Sequence, residues 1–200
     1  MKMTSNLIRA RYLLRKKIIL ISGDICQSGV ITQIFLHPSK GKLLGFELRT
    51  ETCAAPLRVA IDYLLLNPAS SGEEQIVGLS DSFSFVEAFV SGATSYQEFG
   101  DTEVVTEAGD FCGRIKEVYF EEEGLQTIYQ IKVTGWRGIF RKSYFIKGNR
   151  SNYYSPQYHR LVLPVETPHF SSLTAVAEYL QLSPPLALSG ERPRTLLRLK

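Results

Sequence analysis

The feature that most constrains this 200-residue chain is an internal repeat. Two similar stretches lie about 84 to 86 residues apart, which is too long a period for a solenoid repeat. Each stretch opens with a β-branched run and passes through Gly-Asp-x-Cys, ending at Cys26 in one and at Cys112 in the other. An alternating strand then resumes after Gly29 or Gly113. The repeat therefore predicts two copies of one structural unit.

The repeated unit has the composition of a β-hairpin. Runs rich in Val, Ile, Tyr and Phe alternate with period two, and Gly and Asp separate them at turns such as Gly41 and Gly124. We expect a mainly β fold made of two small barrels in tandem with a short C-terminal helix. The alternative is chance similarity between two hairpins of a single sandwich. The expected division is a first barrel at 12–80, a connector at 81–100, a second barrel at 101–168 and a C-terminal helix and tail at 169–200.

The strongest helical signal lies in the C-terminal region. Apolar residues recur at helical spacing from Ser172 to Leu182, and Pro184 and Pro185 follow, so a helix is predicted there. Ser84 to Phe89 fits a strand or a short helix equally well. Residues 186–200 are expected to form a loosely ordered tail.

Composition and cysteine usage limit the class of protein. A chain with 44% hydrophobic and 22% charged residues has the composition of a folded protein. Its apolar runs are far shorter than the roughly 18 to 20 residues of a membrane-spanning helix, and no secretory signal is recognisable. Cys26, Cys53 and Cys112 are widely spaced and form no CxxC pair, which predicts neither a disulfide framework nor a zinc ribbon. These features predict a cytoplasmic protein.

The segment from Val105 to Val118 resembles the PRC-barrel family, and residues 21–49 match the same pattern a second time. The shared pattern is an apolar strand, an acidic turn with Gly, a second Gly, a basic residue and an aliphatic strand. The family takes its name from the photosynthetic reaction-centre H subunit and includes the C-terminal domain of a ribosome maturation factor. The tandem arrangement is similar to that of two-barrel PRC proteins of cyanobacteria. The resemblance implies an assembly role near photosynthetic membranes or, alternatively, a ribosome-linked role.

Catalytic and metal-binding patterns are absent from the sequence. There is no P-loop, GxGxxG, HExxH or GxSxG, and His37, His159 and His169 are dispersed. Cys26 and Cys112 are interpreted as small buried hydrophobes, and Asp110, like Asp24 in the first stretch, as a turn residue. The acidic run 121–123 is interpreted as a solvated hairpin turn. The sequence therefore predicts a protein that is not an enzyme and needs no cofactor or metal.

The most suggestive segment for binding, at 136–160, combines basic and aromatic residues without an acidic one. Its mixture suits a protein interface and also suits stacking on single-stranded RNA. A third interpretation makes its aromatic residues alternating core positions of the second barrel. The candidate partner-binding residues are Trp136, Arg137, Phe140, Arg141, Lys142, Tyr144, Tyr153, Tyr154 and Arg160.

The N-terminus carries a second group of basic residues. A solvated end, contact with anionic lipid headgroups and contact with phosphate all fit this pattern. The residues are Lys2, Arg9, Arg11, Arg15, Lys16 and Lys17. Together these features predict a non-catalytic protein-binding adaptor or assembly factor, with peripheral contact to a photosynthetic membrane. The alternative is a ribosome-associated or RNA-binding maturation factor.

Overall fold

A computed structural model describes residues 7–22, 24–51, 55–68, 74–79, 92–121, 125–134 and 141–182. The structure is 57% strand and 12% helix, which confirms the mainly β class. The elements of the first half are β1 (Leu7–Arg9), α1 (Ala10–Leu13), β2 (Lys17–Ser22), β3 (Ile25–His37), β4 (Lys42–Arg49), β5 (Leu57–Ala60), β6 (Tyr63–Pro68) and β7 (Glu74–Leu79). Those of the second half are β8 (Thr94–Ser95), α2 (Tyr96–Phe99), β9 (Glu103–Thr106), β10 (Phe111–Glu121), β11 (Thr127–Thr134), β12 (Arg141–Lys147), β13 (Tyr153–Ser155), β14 (Arg160–Leu163) and α3 (Leu173–Leu182).

The strands form two sheets with the same strand order. The first runs β5-β4-β3-β2-β7-β6 and the second β12-β11-β10-β9-β14-β13. In each, one pair is parallel, β2 with β7 and β9 with β14, and the other neighbouring pairs are antiparallel. We call β2–β7 the first copy and β9–β14 the second copy. Among the described residues no strand pairing joins the two ends of either sheet, so closure into barrels stays a prediction, as do the domain boundaries.

Fine details of the backbone also recur in both copies. β3 has a bulge between Ile31 and Gln33, and β10 has one between Ile115 and Glu117. Arg15 and Asp101 both have positive φ, 66° and 62°. Their amides donate to the carbonyls of Ile31 and Ile115 at 2.9 and 3.0 Å respectively. A non-glycine residue with positive φ is uncommon, so its presence at equivalent places reflects a shared local architecture.

The segment that precedes each copy in the sequence pairs with the sheet of the other copy. We call β1–α1 the first arm and β8–α2 the second arm. The first arm precedes the first copy, but β1 pairs with β10 of the second copy, with Ile8 opposite Phe120. The second arm precedes the second copy, but β8 pairs with β3 of the first copy, with Thr94 opposite Leu36. The two arms are therefore exchanged between the copies.

One hydrophobic core is shared by both copies and both arms. The last residues of the arm helices, Leu13 and Phe99, are fully buried in it. Phe99 packs against Tyr129 of the second copy, with ring centroids 5.1 Å apart. The fully buried Phe46 of the first copy belongs to the same cluster. Apolar surface of both sheets is therefore removed from water in a single core.

The copies also meet at the β3–β4 turn. Gly41, with φ of 59°, lies so close to Gly148 that a Cβ at Gly41 would come within 2.2 Å of the Gly148 carbonyl carbon. The Thr127 amide donates to the Gly41 carbonyl at 2.9 Å, and the Leu43 amide donates to the Leu125 carbonyl at 2.8 Å. Glycine is therefore required at position 41 for two reasons: its φ is positive, and its backbone approaches Gly148 closely.

The predicted C-terminal helix is confirmed as α3. Ser172 precedes it, and its hydroxyl accepts a hydrogen bond from the Ala175 amide at 3.1 Å, which caps the first turn. Val176 of α3 is fully buried with Ile128 and Phe145 in a second, smaller cluster. The helix therefore covers part of the second copy. Three sequence interpretations concern segments outside the described residues. They are the strand or short helix at 84–89, the acidic turn at 122–124 and the tail at 186–200.

Candidate functional site at the edge of β12

The candidate basic and aromatic residues fall on several elements. Trp136, Arg137 and Phe140 lie outside the described residues, and Arg141 begins β12. Lys142 is exposed and Tyr144 half-buried on the same strand. β12 ends the strand order of the second sheet, and among the described strands it pairs only with β11, along one of its two edges. Part of the predicted segment therefore lies on a sheet edge.

The outer edge of β12 is only partly covered. The backbone amide and carbonyl of Phe145 bond to the carbonyl and amide of Phe170, at 2.8 and 2.9 Å. Because backbone groups alternate in direction along an antiparallel strand, those of Ser143 point to the same outer side. No backbone group among the described residues bonds Ser143 there. Within the described part of the chain, the outer amide and carbonyl of Ser143 therefore lie at an open edge of the sheet.

A cavity of about 570 Å³ adjoins this open edge. Tyr144 forms one wall, stacked on His169 with ring centroids 4.6 Å apart and an interplanar angle of 27°. The Tyr144 hydroxyl donates to the Cys112 carbonyl at 2.9 Å, and burial raises the pKa of this phenol. Tyr144 is therefore held in place as a neutral ring. The lining residues are Val133, Lys142, Ser143, Tyr144, His169, Phe170 and Ser171.

The remaining candidate residues lie at the opposite end of the strand order. Tyr154 of β13 is 8% exposed and packs edge-on against Phe99 at 5.3 Å, so it is a core residue. Its neighbour Tyr153 is 64% exposed. Arg160 of β14 donates to Glu103 at 2.6 Å. The structure thus brings Lys142 and Tyr144 together at one cavity and places Tyr153, Tyr154 and Arg160 elsewhere in the sheet order.

The N-terminal basic residues are not equivalent to one another. Lys2 lies outside the described residues, and Arg11, Arg15, Lys16 and Lys17 are exposed. Arg9 instead pairs with the carboxylate of Glu117, whose side chain is 2% exposed. Hydrogen bonding to Glu117 raises the pKa of Arg9. Arg9 therefore joins the first arm to the second copy, and its charge is already partnered.

Sequence reasoning missed the buried carboxylate of Glu117. Its oxygens also accept hydrogen bonds from the Tyr96 hydroxyl at 2.7 Å and from the Val118 amide at 3.2 Å. Burial, followed by the bond to Glu117, raises the pKa of Tyr96. A charged glutamate is ordinarily expected to face solvent, but Glu117 continues the buried alternation of Gly113 and Ile115 along β10. The cluster contains one carboxylate, one cation and one neutral phenol, which suits a structural tie between the arms.

The interpretation of the repeated cysteines as buried was wrong. Cys26 is exposed near the start of β3, and Cys112 is half-buried. Burial raises the pKa of the Cys112 thiol. The Cys112 Sγ lies 3.6 Å from the carbonyl oxygen of Asp110. Asp110 does lie in a turn, where its amide donates to the Thr106 hydroxyl at 3.1 Å. Within the described ranges, His, Cys, Asp and Glu form no group of three that could hold a metal ion.

The chain matches no protein-family model and no curated protein. None of the helices that the structure describes has the length and apolar character needed to cross a membrane.

Proposed function

We propose that this chain is a non-catalytic protein-binding adaptor or assembly factor, and that it binds an extended segment of its partner at the open edge of β12. The observation that carries the proposal is that no described backbone group bonds the outer side of Ser143, which lies beside an apolar cavity. An added strand would bond to this backbone, as in β-augmentation, and one of its side chains would enter the cavity. Affinity would come from the main chain and selectivity from the cavity.

The cavity favours a particular kind of partner segment. Its volume of about 570 Å³ has room for a large apolar side chain, and the Tyr144 and His169 rings offer a flat stacking surface. Lys142 is exposed at the rim and is suited to a carboxylate on the incoming strand. The preferred partner is therefore an extended segment with an aromatic or aliphatic residue next to an acidic one.

The PRC-barrel resemblance supplies the wider setting of the proposal. The two sheets of identical strand order are compatible with two PRC-like barrels in tandem. On this view the partner belongs to a photosynthetic membrane complex, and the chain acts from the cytoplasmic side. The exposed residues Arg11, Arg15, Lys16 and Lys17 would then provide weak contact with anionic lipid, about 1 kcal/mol for each cation near the surface.

The test compares two substitutions at one position. S143P removes the outward amide without touching the bonds between β12 and β11, because proline is tolerated where the amide of an edge strand faces outward. S143A keeps the amide and serves as the matched control. Tagged wild type and both variants are expressed in the native organism, and the captured proteins are quantified by mass spectrometry. We expect S143A to retain the specific partner and S143P to lose it.

The identity of the captured protein separates the two settings. Subunits of photosynthetic complexes support the membrane setting, and ribosomal proteins support the alternative maturation role. A partner captured equally by S143P and S143A, with both variants folded, would show that the β12 edge is not the binding site.

RNA binding is the second candidate, and the exposed rings of Tyr153 and Tyr158 favour it. Their exposed fractions, 64% and 69%, leave faces on which bases could stack. Phosphate contacts are strongest at low ionic strength. Failure of single-stranded RNA to bind at low salt would therefore eliminate this candidate, whereas binding that disappears in a Y153A/Y158A double variant would support it.

A further inference from the structure

A second pocket, independent of the β12 edge proposal, lies where the first copy's β3–β4 turn meets the second copy. Its volume is about 310 Å³. The first copy contributes Lys40 and Lys42, and the second contributes Gln126, Lys147, Asn149 and Arg150. The pocket is thus built from both halves of the chain, and four of its six lining residues are basic.

The cations of this pocket have no acidic partner among the residues that the structure describes. Lys40, Lys42 and Arg150 are exposed and Lys147 is half-buried. None of the four forms an ion pair with an acid that the structure describes, and no described lining residue is acidic. The whole chain has a net charge of only +3, so four cations without an acidic partner in the described part of the chain are a large local excess. Their mutual repulsion makes the binding of an anion favourable.

The frame that carries these cations is fixed by hydrogen bonds. The Gln126 side-chain amide donates to the carbonyls of Gly41 at 2.9 Å and Gly148 at 2.5 Å. The Gly148 amide donates to the Thr127 carbonyl at 2.8 Å. The Asn149 carboxamide oxygen accepts bonds from the amides of Ser151 and Asn152, at 2.8 and 3.1 Å. The positions from which the cations project are therefore set before any ligand binds.

We infer that this pocket binds a phosphoryl group and that the bound group links the two copies. Lysine ammonium groups act as point charges toward phosphate oxygens, while the Arg150 guanidinium offers a planar fork that can bond two of them. Four cations suit a multiply charged phosphoryl group better than a single carboxylate. The ligand is either a small phosphorylated molecule or the headgroup of an anionic phospholipid, because both present the same chemistry.

The first experiment titrates the full-length protein with pyrophosphate and follows backbone amides by nuclear magnetic resonance. We expect saturable shifts confined to residues 39–42, 126 and 147–150. The variant K42Q/K147Q should weaken binding about tenfold or more, which corresponds to about 1.4 kcal/mol. The control R49Q/K116Q removes the same charge from exposed positions outside the pocket and should bind as the wild type does. Equal weakening in both variants, or shifts spread over all basic residues, would overturn the site.

A second experiment identifies the source of the phosphoryl group. Vesicles of phosphatidylcholine with and without phosphatidic acid are sedimented with wild type and K42Q/K147Q. The site binds a lipid headgroup if wild type sediments with the anionic vesicles, pyrophosphate displaces it from them, and K42Q/K147Q does not bind them. Pyrophosphate binding without vesicle binding assigns it to a small ligand. If wild type shows no saturable pyrophosphate binding, the pocket is not a phosphoryl site.

Discussion

Arg9, in the first arm, donates from its Nε to the buried carboxylate of Glu117 in the second copy. The pair joins residues 108 positions apart, and the Tyr96 hydroxyl of the second arm bonds to the other oxygen of the same carboxylate. One side chain therefore ties together both exchanged arms.

Arg9→Ala should destabilise the fold by about 1 to 2 kcal/mol, because it removes a charged partner from a buried carboxylate. The value stays below that of a fully buried pair because the Arg9 side chain is 49% exposed. Urea denaturation measures the change. In a Glu117→Gln background the same substitution should cost much less, as no buried charge is left unpaired. Gln33, which is half-buried, occupies the equivalent bulge of β3. An equal cost in both backgrounds would contradict the pairing.

The junction glycine should be far less tolerant of substitution than a turn glycine in open space. Gly41→Ala combines positive φ with a clash against Gly148, and we expect a loss of about 3 kcal/mol or more in the free energy of unfolding. Gly109 has φ of 90° and nothing within 4 Å of an added Cβ, so Gly109→Ala should cost only the conformational strain, about 1 kcal/mol. Similar unfolding midpoints for the two variants would show that the approach of Gly41 to Gly148 contributes little.

Stability should fall at mildly acidic pH because of His37. Burial, followed by the charge of Lys40, lowers the pKa of His37 below its ordinary 6.5. The unfolded chain then binds a proton that the folded chain does not, so stability is complete above pH 6.5 and declines as pH falls toward the lowered pKa. His37→Asn should reduce this decline, which thermal melts at pH 7.5 and 5.5 would reveal. An unchanged difference between the two melts would assign the effect to other groups.

The two repeated cysteines should react differently with iodoacetamide in the native protein. Cys26 is exposed, whereas Cys112 is half-buried and burial raises the pKa of its thiol, which lowers the thiolate fraction near neutral pH. We expect rapid alkylation of Cys26 and slow alkylation of Cys112, followed by peptide mass spectrometry. Equal rates in urea would confirm that the fold causes the difference. Faster reaction at Cys112 in the native state would contradict the placement of these thiols.

Cleavage of the backbone between residues 91 and 92 should give two fragments that associate. The N-terminal fragment contains the first arm and the first copy, and the C-terminal fragment contains the second arm and the second copy. Each fragment therefore holds an arm strand that pairs with the sheet of the other fragment. We expect a one-to-one complex of the separately expressed fragments by light scattering. Fragments that fold fully and stay apart when mixed would show that arm exchange is dispensable.

Sequence periodicity was sufficient for the fold class and for α3, because alternation over long strands such as β3 and β10 is a strong signal. It could not reveal the arm exchange, since β1 and β8 have three and two residues and carry no readable pattern. Whether each sheet closes and where the domains divide remain predictions.

In the candidate segment, two neighbouring residues differ in burial. Tyr154 packs in the core while Tyr153 faces solvent, as alternation on a strand requires. Composition alone treated the two alike. The open edge at Ser143 depends on which strand ends the sheet, and only tertiary structure supplies that information. The same limit applies to the junction pocket, whose cations come from segments far apart in the sequence.

The exchanged arms also impose an order on synthesis at the ribosome. The first sheet lacks β8 until translation has passed residue 95, and the first arm has no strand to pair with until β10, residues 111–121, has emerged. A nascent first copy therefore cannot reach its final form as an independent unit, although domains ordinarily fold one after another from the N-terminus. A pause in translation before β10 would leave an unpaired strand edge exposed for its duration.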